Sequence, residues 1–426
     1  MILSKKNLFH FYPWAWWLIA VAMPWAIAIS NIAIALLILV WLADARWDEK
    51  WKRLKASTLV FPFFIFYGTY AVGVIYSDDF ISGFNEICRK IPILLLPLIA
   101  ATGPALETNF IDRIKKGFAY SCFVVVVVSL VTGIIQLLMD GPHTDNLGTA
   151  ESHYYTLHSS ASRLWLHFSY IQVVRWGDLH PSYLSMYLLL AIFFLAGEET
   201  GERKLVFVRI TAILVMIGFV GLLASRIAVL TFVATALYWM VSDTMAGKIK
   251  RVVYFLFGAL AFGTLIWLNP VARFRVVEEP LSTPISIDKS TTEWNSVNYR
   301  LLEWRGAWSI ICQNPILGVG TGDGDQTLKK FYSAYNTSTA NVDYNAHNQY
   351  LQTWLEIGLL GLTFLLICLL LPWIKSGNRP SDISFIIIFS SMCLTESMLN
   401  RQKGIIFFSF FFALLLSKKN QFHDYY

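Results

Sequence analysis

Three side chains in this sequence have the types and surroundings that chemistry would need. His347 opens the stretch HNQYLQTWLEIGLLG. An imidazole titrates near neutrality and can take a proton from an attacking hydroxyl. Arg226 lies in GLLASRIAVL, between two apolar blocks, where a charge is expensive unless it faces a cavity or a partner. Arg300, with Arg305 beyond it, sits in VNYRLLEWRGAWSIICQ, and a guanidinium can bind phosphate bidentately. Each has an ordinary explanation when taken singly, as a capping histidine, a snorkelling arginine or a solvated one. Together, two guanidiniums beside a base are what a diphosphate leaving group and a hydroxyl nucleophile require.

Other residues carry less. His180-Pro181-Ser182-Tyr183 begins an apolar block, so His180 and Tyr183 could line a site, although proline in a first helical turn is also ordinary capping. Asp323 and Asp325 in GTGDGD form a D-x-D pair, for which a glycine-rich turn is the favoured reading over a cation site. Glu396, Asn400, Arg401 and Gln402 gather between the last two apolar blocks, more readily as a structural ion pair than as substrate contacts. The five cysteines are scattered without CxxC spacing, and no Walker, GxSxG or HExxH motif is present. No metal site and no cofactor are expected.

The elements that must hold these residues are apolar helices. At 56% hydrophobic and 15% charged residues, the chain reads as an all-α polytopic membrane protein. Apolar blocks near 11–26, 28–44, 57–76, 88–103, 112–138, 181–198, 204–223, 225–242, 250–268, 347–373, 382–398 and 402–417 predict about 12 transmembrane helices. Pro24 and Ser225-Arg226 are the expected turning points within two longer runs. Three regions follow: 1–268 with helices 1–9 and an outer loop near 139–180, a large loop over 269–346, and 347–426 with helices 10–12 and a short tail. Basic residues concentrate on one side of this arrangement, which predicts cytoplasmic termini. The net charge of +6 therefore fixes topology, and no nucleic-acid partner is expected. The loop 269–346, placed outside the cytoplasm, should fold as a small helical lid. A continuous helix from His347 would set Leu351, Trp354, Gly358 and Gly361 on one face, with Gln349, Gln352 and Glu356 opposite. The two glycines would then let a neighbouring helix approach.

The pattern of His347-Asn348 followed by Gly358 and Gly361, the Ser225-Arg226 pair and the stretch from Asn298 to Gly324 resembles the O-antigen ligase and polymerase superfamily of bacterial envelope enzymes. That resemblance implies an inner-membrane protein whose periplasmic site carries out metal-independent, inverting glycosyl transfer. Its donor would be a glycan on undecaprenyl diphosphate, and its acceptor lipid A-core or another glycan. It assigns His347 as the residue that activates the acceptor hydroxyl. Arg226 and Arg300 would bind the diphosphate, with Arg305 as a further lid arginine, and Asn348, His180 and Tyr183 as possible substrate contacts. Ligase is the leading reading, with polymerase and protein O-oligosaccharyltransferase behind it. A non-enzymatic polysaccharide or lipid transporter would show paired broken helices in matching halves, and none is visible in the sequence.

Overall fold

The computed structural model of the chain describes residues 5–142, 160–177, 179–198, 203–242, 258–260, 262–284, 294–335, 345–375 and 379–417. Much of the expected 139–180 loop, two parts of the 269–346 loop and the first half of the 250–268 block lie outside them. Among the described residues every regular element is helical.

The apolar blocks fold as expected into α1 (Lys5–Ala22), α2 (Ile27–Ala43), α4 (Phe61–Ile75), α5 (Phe80–Thr102), α6 (Thr108–Asp140), α8 (Pro181–Ala196), α9 (Arg203–Leu222) and α10 (Arg226–Val241), and later into α15 (Gln349–Lys375), α16 (Pro380–Met392) and α17 (Gln402–Leu416). Between α2 and α4, the basic stretch WDEKWKRLKA forms α3 (Trp47–Ala56), turned 111° from α2. Its charged face and tryptophans suit an interfacial helix.

Among the described residues four helices are long and apolar enough to cross a membrane, or up to seven if each of three sharply bent pairs makes one span. That is fewer than the dozen expected, because four further apolar helices have at most 17 residues, short of the ~20 that a 30 Å layer needs. One of these, α17, is buried almost all round, as is α8, which forms half of a bent pair. A helix apolar on every face belongs inside a bundle. Around them Phe118, Tyr187, Phe385, Phe389, Phe407 and Phe411 interlock, with ring centroids 4.9 to 6.3 Å apart.

The 269–346 segment holds α13 (Ser296–Gln313) and α14 (Gly324–Tyr332), which pack with α15 around a small core of Leu302, Ile311, Leu328, Tyr332 and Leu355. A loop between them clasps the bundle. The Asp323 carboxylate accepts the N–H groups of Asp78 and Asp79 at 2.8 and 2.9 Å, so the D-x-D pair supplies a turn, as favoured from the sequence.

The stretch after His347 departs from the single helix expected. α15 starts at Gln349, and it breaks at Ile357 and Gly358, where Gly358 has φ +68°. Val319 and Gly320 of the clasping loop donate to the carbonyls of Leu355 and Glu356 at 2.8 and 3.0 Å, while Leu359 N–H donates to Pro315 O at 3.1 Å. The loop thus replaces hydrogen bonds that the broken helix forgoes, which is what makes a break tolerable in an apolar setting. Gly358 accommodates this loop backbone and Gly361 its own helix's Ile357 side chain. Neither glycine seats a neighbouring helix, so the projection from His347 fails beyond Ile357.

Candidate functional site

Five helices begin at the wall of one cavity of about 550 Å³. His180 caps α8, with its Nδ1 accepting the Ser182 N–H at 3.3 Å. Ser225 precedes Arg226 at the start of α10. Asn295 caps α13 through the N–H groups of Val297 and Asn298. Asn348 caps α15 by accepting from Tyr350 and Leu351, and Arg401 immediately precedes α17. Each helix N-terminus contributes unsatisfied N–H groups and a partial positive charge, so their convergence favours an anion.

His180, Arg226, Arg300 and His347 all line this cavity, together with Arg275, Glu303, Glu396 and Arg401. The remaining expected residues are elsewhere. Arg305 is exposed further along α13, outside the lining. Tyr183 is buried with its hydroxyl directed at Ser397 O, 3.5 Å away. Asn348 spends its side chain on the helix cap and on Leu394 O, 3.0 Å away. These three are structural neighbours of the site, because the residues that face a cavity depend on where helices begin as well as on residue type.

The arginines are held by carboxylates. Arg226 donates to Glu279 and to the Arg275 carbonyl. Glu279 also accepts from the backbone and hydroxyl of Ser296 at the start of α13, both at 3.0 Å. One turn further on, Arg300 donates to Glu396 at 2.8 Å and to Thr395 O at 3.2 Å, and Glu396 accepts from Ser182 at 3.0 Å. A continuous polar chain therefore runs from α10 through α13 to α8. Arg275 adds a guanidinium centred 3.6 Å from the middle of the Tyr170 ring. Four arginines against Glu303 and Glu396 leave the cavity lining net positive. Glu279 and Glu303 were absent from the sequence reading. Glu303 carries a local signal, standing three positions from Arg300 on one helix, whereas Glu279 is 53 residues away from the arginine it serves.

His347 Nδ1 lies 3.0 Å from Glu303 Oε2. Burial pushes the imidazolium pKa down, but the charge and hydrogen bonding of Glu303 more than compensate and hold it above its ordinary value. For Glu396 burial works upwards, while Arg300 and the two histidines outweigh it and keep the carboxyl below its ordinary value.

Among the described residues three non-glycines have positive φ: Tyr170 at +53°, Ala224 at +49° and His347 at +40°. All three line this cavity. A left-handed backbone at such residues costs of order 1 to 3 kcal/mol and concentrates where function over-determines the chain.

These features define a helical membrane protein with an anion-favouring cavity at one end of its bundle. Residues 211–366 match the family model described as O-antigen ligase, which supports membership of the O-antigen ligase superfamily. The domain is thus of ligase or polymerase type, with a glycosyltransferase-like activity in general. The matched segment contains Arg226, Arg300, Glu303 and His347, but neither His180 nor Arg401. An uncharacterized protein of Haemophilus influenzae is 21% identical over 338 residues, covering 77% of this chain and 76% of its own length.

Proposed function

We propose that this cavity transfers a glycan from a lipid-linked diphosphate to an acceptor hydroxyl, and that the chain is a ligase acting on undecaprenyl-diphosphate-linked polysaccharide. The observation that carries the reading is the meeting of Arg226, Arg300 and the His347–Glu303 pair in one cavity. With the Glu303 carboxylate 3.0 Å from Nδ1 favouring a proton there, Nε2 is the nitrogen that takes the proton from the acceptor hydroxyl. The hydroxyl oxygen forms a bond to the anomeric carbon as the bond from that carbon to the diphosphate oxygen breaks. The electron pair leaves on the diphosphate, whose growing charge falls to Arg226 and Arg300. Direct attack opposite the leaving group inverts the anomeric centre. No step needs a metal, because guanidiniums and helix N-termini supply the positive charge.

The topology read from basic residues puts this cavity at the periplasmic face of the inner membrane, with about twelve crossings, some made by bent or short helices. The acceptor favoured is lipid A-core. Deleting the gene in a strain that makes O-antigen tests the whole reading. A ligase leaves polymer on undecaprenyl diphosphate and bare lipid A-core. A lipopolysaccharide ladder cut to one repeat would identify a polymerase instead, and an unchanged ladder with unchanged protein glycosylation would reject the transfer reading.

A further inference from the structure

Three of the four arginines at the cavity already have partners: Arg226 has Glu279, Arg300 has Glu396, and Arg275 lies over Tyr170. Arg401 differs. It lines the same cavity, yet among the described residues its side chain makes no hydrogen bond, ion pair or ring contact.

Arg401 is exposed, but the backbone that carries it is well built. The backbone on either side is pinned: Leu399 N–H donates to Gln349 Oε1 at 2.6 Å, Arg89 donates to Asn400 O at 3.1 Å, and Lys403 donates to Trp25 O at 2.8 Å. A Cβ on Gly404 would lie 1.9 Å from Met398 O, so this turn packs backbone against backbone. The chain of contacts also fixes which end of the cavity Arg401 occupies. It runs from Arg226 through Glu279 and Ser296 to Arg300, then through Glu396 to Ser182 beside His180. Arg401 follows Glu396 by five residues and sits within electrostatic range of His180 and Tyr183. It therefore stands at the α8 end of the cavity, near His180 and Tyr183.

His180 completes the arrangement. Its Nδ1 accepts the Ser182 N–H, which puts the ring proton on Nε2 and makes that nitrogen a donor. A guanidinium without a carboxylate partner and an imidazole N–H at one end of a cavity are donors only, and they match a phosphate or carboxylate group.

We infer that Arg401, with His180, forms a second anion subsite that binds a phosphate or carboxylate substituent on the acceptor glycan. The inference rests on the proposed transfer reaction for its word acceptor, and on geometry alone for the anion. It assigns discrimination between acceptors to residues outside the segment matched by the family model. The paired arginines would hold the donor's diphosphate, and the unpaired one would hold a charge that the acceptor brings.

The test compares two acceptors on one donor, a lipid-linked diphosphate glycan. One acceptor is a lipid-anchored oligosaccharide carrying a phosphomonoester on its outermost sugar, and the other is the same molecule after phosphatase treatment. In Arg401→Ala the ratio of kcat/KM for the phosphorylated over the dephosphorylated acceptor should fall about tenfold, through the acceptor KM, and Arg401→Lys should recover part of it. An unchanged ratio would overturn the inference, as would an effect confined to the donor KM, which would make Arg401 a donor-phosphate residue. Binding is measured separately, by titrating a phosphorylated disaccharide into the detergent-solubilised full chain. Weaker binding by Arg401→Ala supports the subsite even if wild-type protein transfers no glycan, in which case only the transfer reading falls. Equal binding by wild type and Arg401→Ala overturns it.

Discussion

Glu303 Oε2 lies 3.0 Å from His347 Nδ1, and the carboxylate and imidazole come from different elements, α13 and the turn before α15. The pair does two things. It orients the ring, and it raises the histidine's pKa against the effect of burial. A base must be neutral to accept a proton, so transfer should increase as pH rises through a midpoint above the ordinary 6.5. Glu303→Gln removes the charge, which should move that midpoint down and lower kcat through loss of orientation. The sign for stability is the reverse. A folded-state pKa raised above the unfolded value contributes stability that is fully present below the unfolded pKa and lost as pH rises through the folded one. A pH–rate profile of both proteins checks this, and a midpoint that rises or stays in Glu303→Gln would contradict it.

The paired arginines should be costly to remove singly. Glu396 and Glu279 have side chains only 8% and 4% exposed, and breaking a buried ion pair from one side costs about 3 to 5 kcal/mol. Arg300→Met should therefore lose both activity and stability. Arg300→Met with Glu396→Gln should regain most of the stability and none of the activity. Denaturant midpoints beside transfer rates separate the two roles, and recovery of activity in the double variant would remove Arg300 from the site.

Gly358 and Gly361 should respond differently. A Cβ on Gly358 would lie 1.9 Å from Ile316 O at φ +68°, whereas one on Gly361 meets only the side chain of Ile357, 2.3 Å away. Gly358→Ala should destabilise by several kcal/mol, with no relief from trimming side chains. Gly361→Ala should be milder, and its clash should be relieved by Ile357→Ala. Thermal unfolding of the three variants tests this, and equal losses at both glycines would refute the role given to the break in α15.

Asp323 holds two backbone N–H groups of the turn at Asp78 and Asp79, so Asp323→Ala should cost about 1 to 3 kcal/mol by leaving them unpaired. The loss should be the same with and without a chelator. A wild-type stabilisation by divalent cations that the variant lacks would revive the cation reading.

Much of this was legible in the sequence, and the limits have physical causes. Apolar runs betray helices because the membrane or the bundle interior requires continuous hydrophobicity, so α4, α6, α9 and α15 fall where the runs predict. Arg226 and His347 share one cavity because each stands at the start of an apolar block, where the chain reaches the bundle's end, and Arg300 joins them from α13. What stayed hidden depends on long-range pairing. Nothing local marks Glu279 as the partner of Arg226. The break at Gly358 is invisible in helical periodicity, since the hydrogen bonds that pay for it come from a loop some 40 residues earlier. Arg305 matches Arg300 by type, but at ~100° per residue it lies about 140° round the helix, and the face of α13 that meets the cavity includes Arg300, Glu303 and Trp304 and excludes it.

The most direct measurement uses purified full-length protein in vesicles with a lipid-linked diphosphate glycan and an acceptor lipid, comparing wild type with His347→Ala. General-base catalysis contributes roughly 10²- to 10⁴-fold, so the variant should bind the donor with wild-type affinity and transfer at least a hundredfold more slowly. A folded His347→Ala that transfers glycan at the wild-type rate would contradict the account.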